Sequence, residues 1–345
     1  MAFLPKPLFV LKKHFNIPVF IPELACPFQC VFCNQRKISG HIAVPEPDEI
    51  IKTVNDYLAT FPNEPYHAEI GFFGGSFTGL PLLEQEKFLK LAKPYLDKGL
   101  IQGIRLSTRP DYINNRVLAL LKKQGVTTIE LGAQSFDPDV LKLSYRGHTP
   151  QQTIESSKMI LQQGFDLGLQ MMIGLPGDTL EKSMMTARKI IDAGASNTRI
   201  YPTVVIKDTA LHSWYKSGKY KPLSLQQAVE WTKQILPIFE EAGVKVIRTG
   251  LHPSEGLLNG SELIDGPFHP SFKELVLTEI WYDKLAEADA NRGKDIIIFV
   301  SPRQLNYAIG YRSKNRNRLL KKYSSVVFKS DCRLQGRTFR VEIQL

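Results

Sequence analysis

Six apolar, β-branched segments bounded by glycine and proline recur along the first two-thirds of the chain. They are IPVFIPEL (17–24), AEIGFFGG (68–75), GIRLSTRP (103–110), TTIELGAQS (127–135), DLGLQMMIGLP (166–176) and NTRIYPTVVI (197–206). Runs this short, framed by turn residues, predict strands. Between them, apolar positions with helical spacing predict helices over 48–61, 83–95, 114–124, 150–163 and 180–193. Strict alternation of the two predicts an α/β chain of parallel strands joined by crossover helices. Further on, 225–242 carries Ala228, Val229, Thr232, Ile235, Leu236 and Phe239 on one stripe, with a kink expected at Pro237. After VKVIRTG (244–250), a stretch rich in glycine and proline marks a boundary, and a helix over 271–290 leads into DIIIFVS. The expected organisation is a main unit over 1–255 with an N-terminal arm, a connecting segment over 256–293, and a C-terminal module over 294–345.

Composition narrows the class. With 345 residues, 43% hydrophobic and 23% charged, the chain can bury a large core, which excludes disorder, collagen and coiled coil. No apolar run approaches the roughly 20 residues of a membrane span, and prolines and lysines interrupt MAFLPKPLFVLKKHFNIP, so the chain reads as cytoplasmic with no membrane partner. The net charge of +10 is concentrated at one end: from Lys294 onward there are twelve Lys and Arg against three acids. A balanced body with a cationic tail favours a polyanionic partner such as nucleic acid.

Three of the four cysteines fall within eight residues, as Cys26, Cys30 and Cys33. That spacing supplies three soft thiolates on one loop after the first strand. A [4Fe–4S] cubane usually takes four cysteines; held by three, it leaves one iron open, and S-adenosylmethionine can chelate that iron through its amino and carboxylate groups. The alternative is structural zinc, with His41 completing a Cys3His set. Cys332 reads as a small core residue.

Ligand sites in parallel α/β folds gather at the carboxyl ends of strands. Phe32 suits stacking on an adenine ring, and Gly74 and Gly75 allow close backbone approach, with Ser76 and Thr78 offering hydroxyls. Ser107, Thr108 and Arg109 end the third segment, the guanidinium suited to a carboxylate. In the fourth, Glu130 is expected to point elsewhere, while Gln134 and Ser135 suit a ribose or carboxylate. Arg146 and His148 precede a helix begun by Thr149 and Pro150, a setting that favours an anion. Met171 and Met172 read as packing, and Tyr201 and Lys207 are polar candidates in the sixth segment, with His148 a third candidate for catalysis.

CPFQCVFC, GGSFTG, STRPDYI, LGAQSFDPDVL…RGHT and IYPTVVIKDTALHSWYKSGKY occur in the order found in the radical S-adenosylmethionine superfamily, and over roughly 17–250 the chain resembles the Elongator catalytic-subunit branch. The resemblance implies a partial (βα)6 TIM-like barrel open to a large substrate. It implies a [4Fe–4S] cluster on Cys26, Cys30 and Cys33, and S-adenosylmethionine contacted by Phe32 at adenine, by Gly74 and Gly75 at the amino group and by Gln134. An electron donor such as ferredoxin or flavodoxin would accompany it. The first cysteine gap is three residues, far shorter than in Elongator subunits, and no acetyl-coenzyme A motif follows the barrel.

The C-terminal segment DIIIFVSPRQLNYAIGYRSKNRNRLLKKYSSVVFKS is similar to a K-homology module, a small basic α+β unit in which a Gly-x-x-Gly loop grips a nucleic-acid backbone. Ser313 replaces the second glycine, and its Cβ is expected to disfavour positive φ. Arg312, Lys314, Arg316, Arg318, Lys321 and Lys322 supply the charge for RNA. The expectation is a radical S-adenosylmethionine enzyme modifying RNA, tRNA above all. Its rivals are a radical enzyme acting on a small or porphyrin-like acid held by Arg109, Arg146 and His148, and a non-catalytic zinc-containing RNA-binding protein.

Overall fold

The computed structural model describes residues 13–21, 30–34, 45–288 and 295–344. It divides into two compact units, Met1–Gln170 with Asp192–Asn197, and Met171–Ile191 with Thr198–Leu345. The principal sheet is built from β1 (Lys13–Ile21), β2 (Tyr66–Gly74), β3 (Gly103–Thr108), β4 (Val126–Gln134), β5 (Asp166–Ile173), β6 (Asn197–Pro202) and β8 (Lys245–Thr249), in that order. The chain is thus an α/β partial barrel with seven strands where six were expected. The extra strand is the VKVIRT segment, which continues the same alternation after its helix. Pro202 closes β6 because it has no N–H for the ladder; the rest of the sixth segment becomes β7 (Val205–Ile206), paired antiparallel with β9 (Leu263–Asp265).

In the first unit the helices are α1 (Pro47–Ala59), α2 (Leu82–Asp97), α3 (Asn115–Lys123), α4 (Pro138–Leu143) and α5 (Pro150–Gln162). Their starts are chemically specified. Asn114 accepts the Val117 N–H, Asp137 accepts the Val140 N–H, and Thr149 forms a capping box with Gln152. The short α4, which hydrophobic periodicity did not reveal, begins at the Asp137 cap and Pro138.

Strand alternation sorts the first unit into two faces. Ile17, Val19 and Ile21, then Ile70 and Phe72, Ile104 and Leu106, and Ile129 and Leu131 are buried on one side. The other side is polar. There the buried Arg105 donates through Nε and Nη2 to Glu69 Oε2 at 3.1 and 2.9 Å, and through Nη1 to Glu130 Oε1 at 2.8 Å. Gln170 Nε2 reaches Glu130 Oε2 at 3.0 Å and Ser107 Oγ at 3.3 Å. Glu130, expected to stand apart, is therefore part of the polar face. Gly103 leaves room for Glu69, whose Oε1 would lie 3.1 Å from an added Cβ.

The second unit contains α6 (Leu180–Asp192), α7 (Ala210–Lys216), α8 (Leu225–Glu241), α9 (Glu255–Leu258) and α10 (Phe272–Lys284). α8 continues as one helix across Pro237, the position of the expected kink. α10 ends at Lys284 and gives way to a 3-10 turn, short of the predicted 290. In the turn before α6, Asp178 accepts the Gly174 and Thr179 N–H groups at 2.8 and 2.9 Å and the Ser183 hydroxyl at 2.7 Å. Burial nevertheless pushes its pKa up to about 6. The same unit ends in β10 (Asp295–Val300), α11 (Leu305–Ile309), α12 (Lys314–Leu319), β11 (Ser325–Ser330) and β12 (Phe339–Gln344). β10 lies between a parallel β11 and an antiparallel β12. Trp281, Leu285, Ile296, Ile298 and Leu319 share its core, and the Trp281 indole donates to Gln304 Oε1 at 3.0 Å.

Burial pushes the Glu69 carboxyl upward, but the His14 hydrogen bond and the Arg105 guanidinium outweigh it and hold the pKa at about 2 against an ordinary 4.5. A depressed carboxylate contributes stability that is complete above pH 4.5 and is lost as pH falls toward 2. The contribution is about 3 kcal/mol at most. Urea denaturation at pH 6 and pH 3 checks this: the native chain should lose substantially more stability between the two than Glu69→Gln does.

Candidate active site

The cysteine loop is held from the far end of β4. Cys30 is buried and Cys33 half-buried, and the Cys33 N–H closes a turn onto the Cys30 carbonyl at 3.0 Å. Cys26 lies outside the described residues, as does His41 of the zinc alternative. The Val31 N–H donates to the carbonyl of Ser144, just past α4, at 3.2 Å. From the same segment Arg146, itself buried, places Nη1 3.5 Å from Cys30 Sγ and donates through Nη2 to the Gly132 carbonyl at 2.6 Å. A cation at that distance complements the negative charge of a thiolate-ligated centre.

Gly132 makes this possible. A Cβ there would lie 2.8 Å from Arg146 Nη2 and 3.0 Å from Gln134 Nε2, so both side chains occupy the space that a missing methyl leaves. Gln134 ends β4 at φ 64°, uncommon for a residue with a side chain, and its Oε1 is buried with no hydrogen-bond partner among the described residues. Arg146 Nε and both ring nitrogens of His148 are in the same condition. The Ala133 and Arg146 main chains lie near the His148 ring without meeting hydrogen-bond geometry. Burial first, then the Arg146 and Arg109 cations, push the His148 pKa down to about 3. His148 is therefore a neutral imidazole at pH 7. Buried polar groups without partners are uncommon in folded proteins and each calls for an explanation.

Other predicted residues serve the frame. Gly74 has φ 116°, and its Cβ would stand 2.4 Å from the Ile21 carbonyl oxygen; the Gly75 N–H donates to that same oxygen at 3.0 Å. The close approach these glycines permit is to the end of β1. Ser76 is buried, Thr78 and Thr108 hydroxyls meet at 2.6 Å, and Ser107 receives Gln170. Arg109, expected to be ready for a ligand carboxylate, is engaged by Asp111 at 2.9 and 3.1 Å and donates to the Arg146 carbonyl at 2.6 Å. It acts as a brace for the Arg146 segment. Phe32 is buried beside Cys33 in sequence, and Met171 is fully buried as expected of packing. Tyr201 is half-buried on β6; Lys207 is exposed, with its N–H on the Glu262 carbonyl. Gly132, Ser144 and Gln170 escaped sequence reasoning. Only the small residue inside LGAQ signalled that something must pass close to β4.

The family model "Radical SAM superfamily" matches residues 21–190, and "Radical_SAM C-terminal domain" matches 196–282. The chain belongs to the radical SAM superfamily. Among its relatives, a protein named tRNA uridine(34) acetyltransferase from Methanocaldococcus infernus is 33% identical over 138 residues, covering 38% of this chain and 26% of the relative. Human Elongator complex protein 3 is 31% identical over 185 residues, covering 48% of this chain and 34% of the relative. This radical SAM chain thus spans about a quarter to a third of those curated relatives. The solved structure of archaeal Methanocaldococcus infernus Elp3 with an N-terminal deletion superposes with a TM-score of 0.62 at 20% identity, covering 81% of this chain and 64% of that one. It shares the fold.

The predicted RNA-contacting residues divide into two groups. Lys314 is ion-paired with Glu279, Arg316 Nε donates to the Val326 carbonyl at 3.3 Å, and the Arg318 guanidinium lies 3.8 Å from the centre of the Tyr282 ring. Arg312 and Lys321 are exposed, and Lys322 is half-buried. The Gly310–Ser313 loop is left-handed at Gly310, Arg312 and Ser313, with φ 89°, 50° and 59°. Ser313 adopts the conformation that its Cβ was expected to resist. α10 supplies the compensation: Thr278 accepts the Tyr311 N–H at 2.8 Å through Oγ1 and the buried Asn315 amide at 3.1 Å through its carbonyl. Strained residues persist where neighbours over-determine them. No helix among the described residues is long and apolar enough to cross a membrane.

Gly74→Ala forces both a disfavoured φ and a clash with backbone that cannot swing away. It should cost at least about 1–3 kcal/mol in the unfolding free energy, whereas Gly99→Ala, where φ is 70° but nothing lies within 4 Å, should cost less. Denaturation of the two variants side by side measures the difference.

Proposed function

We propose that this radical SAM chain binds a [4Fe–4S] cluster through Cys26, Cys30 and Cys33 together with S-adenosylmethionine, and modifies RNA, tRNA in particular. When bound and reduced, the cluster supplies homolytic cleavage of the sulfonium to a 5′-deoxyadenosyl radical. The observation that carries the reading is the buried Arg146, whose Nη1 lies 3.5 Å from Cys30 Sγ while its Nε, and the Oε1 of Gln134 that shares the space beside Gly132, have no hydrogen-bond partner among the described residues. An amino acid carboxylate and a ribose offer the complementary groups. In this reading Arg146 presents positive charge to the carboxylate, and Gln134 orients the ribose or carboxylate edge. Phe32 packs at the adenine, and Gly74, Gly75, Ser76, Ser107 and Arg109 shape and brace the rim. Neutral His148 is ready to accept or donate one hydrogen bond at each nitrogen without adding charge. Tyr201 and Lys207 remain candidates for the substrate side. Ferredoxin or flavodoxin would deliver the electron, in the cytoplasm.

The cationic C-terminal module supports RNA as the substrate, with Arg312, Lys321 and Lys322 as phosphate contacts and Lys314, Arg316 and Arg318 contributing charge from anchored positions. The alternative of a small or porphyrin-like acid loses its main clamp because Arg109 is already occupied by Asp111. A zinc-only RNA-binding protein would have no use for the orphan atoms around Gly132.

Anaerobic reconstitution with iron and sulfide, followed by reduction with S-adenosylmethionine present, should yield a brown [4Fe–4S] chromophore and 5′-deoxyadenosine. Cys30→Ala should yield neither, and a single tetrahedral zinc in the native chain would refute the reading. Binding of the full chain to total tRNA should weaken steeply with salt, with log K linear in log salt concentration. Arg312→Ala/Lys321→Ala/Lys322→Ala should flatten that slope by up to about three phosphate contacts; no binding at low salt would shift the substrate to a small molecule.

A further inference from the structure

At the opposite end of β1 from the cysteine loop, β1 and β2 bring three further metal-ligating side chains together. The parallel register sets His14 beside His67 and Asn16 beside Glu69. Because alternate residues of a strand share a face, His67 and Glu69 lie on one side of β2, and His14 meets them there. His14 Nε2 is 3.0 Å from Glu69 Oε2, and the His14 and His67 rings stack with centroids 4.9 Å apart and planes 19° from parallel. One ligand atom from each of the three lies within 4.8 Å of the other two, and among the described residues no other trio of His, Cys, Asp or Glu converges in this way.

Charge and access favour a cation at this point. Arg105 bridges Glu69 and Glu130, so two buried carboxylates face one guanidinium and leave one net negative charge. Arg105 also fixes the Glu69 carboxylate in place, the role that outer partners play around ligated metals. The His14 side chain is 38% exposed, which opens a route for an ion from solvent and lets the imidazole swing. Ligands around a tetrahedral ion with bonds near 2.0–2.1 Å stand roughly 3.3 Å apart, so small rotations of the two rings close the set. The site is separate from the cysteines: seven steps along the strand, roughly 23 Å, lead from His14 to Ile21.

We propose that His14, His67 and Glu69 bind one divalent first-row transition ion, of the zinc or ferrous class, in a two-histidine, one-carboxylate site that pins the start of β1 to β2. Two nitrogens and a carboxylate oxygen suit these ions and leave positions for water. Binding to the native state alone raises its stability.

The test uses the full chain with Cys26→Ala, Cys30→Ala, Cys33→Ala and Cys332→Ala, which removes the competing thiolates, Cys332 being exposed where a core position was expected. Titration with Co2+ should reach saturation at one equivalent with ligand-field bands and no sulfur-to-cobalt charge transfer. Zn2+ should displace the cobalt and raise the melting temperature. His14→Gln and His67→Gln in that background should each weaken cobalt binding at least tenfold, with circular dichroism reporting that the fold is kept. Should the cysteine-free chain not fold, equilibrium dialysis of Zn2+ against cluster-loaded native chain and its His14→Gln variant reads the same difference. Absence of binding at millimolar metal, or an affinity in either histidine variant unchanged from that of the parent chain, would leave only a His14–Glu69 contact and overturn the proposal.

Discussion

The Arg146 guanidinium is the contact on which the candidate site depends. It reaches from the segment after α4 to the Gly132 carbonyl and to Cys30 Sγ, joining the end of β4 to the cysteine loop. It can do so because residue 132 has no side chain, and because Arg109 holds the Arg146 carbonyl from β3. Asp111 neutralises Arg109, so one buried cation is spent as scaffold and the other is left facing the sulfur. Burying two guanidiniums this close is costly unless each is hydrogen-bonded. Arg146 Nε is the guanidinium nitrogen left without a partner among the described residues.

The same logic repeats lower on the polar face, where Arg105 rather than apolar packing joins β2, β3 and β4. A hydrophobic interior would be simpler to stabilise, but it would leave no polar wall for a ligand. The first unit instead has an apolar face toward its helices and a charged, hydrogen-bonded face opposite. Glu69 takes part in both ends of that design: it fixes Arg105 and meets His14 at the start of the sheet.

Much of the fold was legible because period and punctuation agree. Segments such as TTIELGAQS and DLGLQMMIGLP are bounded by residues that end ladders, and the helices between them carry caps at Asn114, Thr149 and Ser224. Where the two signals disagree, prediction failed. α4 is too short for periodicity and rests on one aspartate cap. The seventh strand, VKVIRT, lies outside the six segments counted from the pattern, next to the stretch that marks the boundary. Ser313 is left-handed although it has a Cβ, because Thr278, 35 residues earlier, holds both sides of its loop.

Sequence alone determined the alternation of strands and helices, the cysteine spacing that singles out a metal-binding loop, and the basic character of the last fifty residues. These are local properties, carried by neighbours within a few positions. Tertiary structure decided what each candidate actually touches. Gly74 yields to the Ile21 carbonyl, Arg109 turns to Asp111, and Arg146 crosses 116 residues of sequence to Cys30. His14 and His67 become a pair only through the register of β1 on β2. Register and strand order are set by long-range pairing, where a slip of one residue exchanges the two faces of a strand, and no local pattern in the chain encodes which distant side chain waits on the other side.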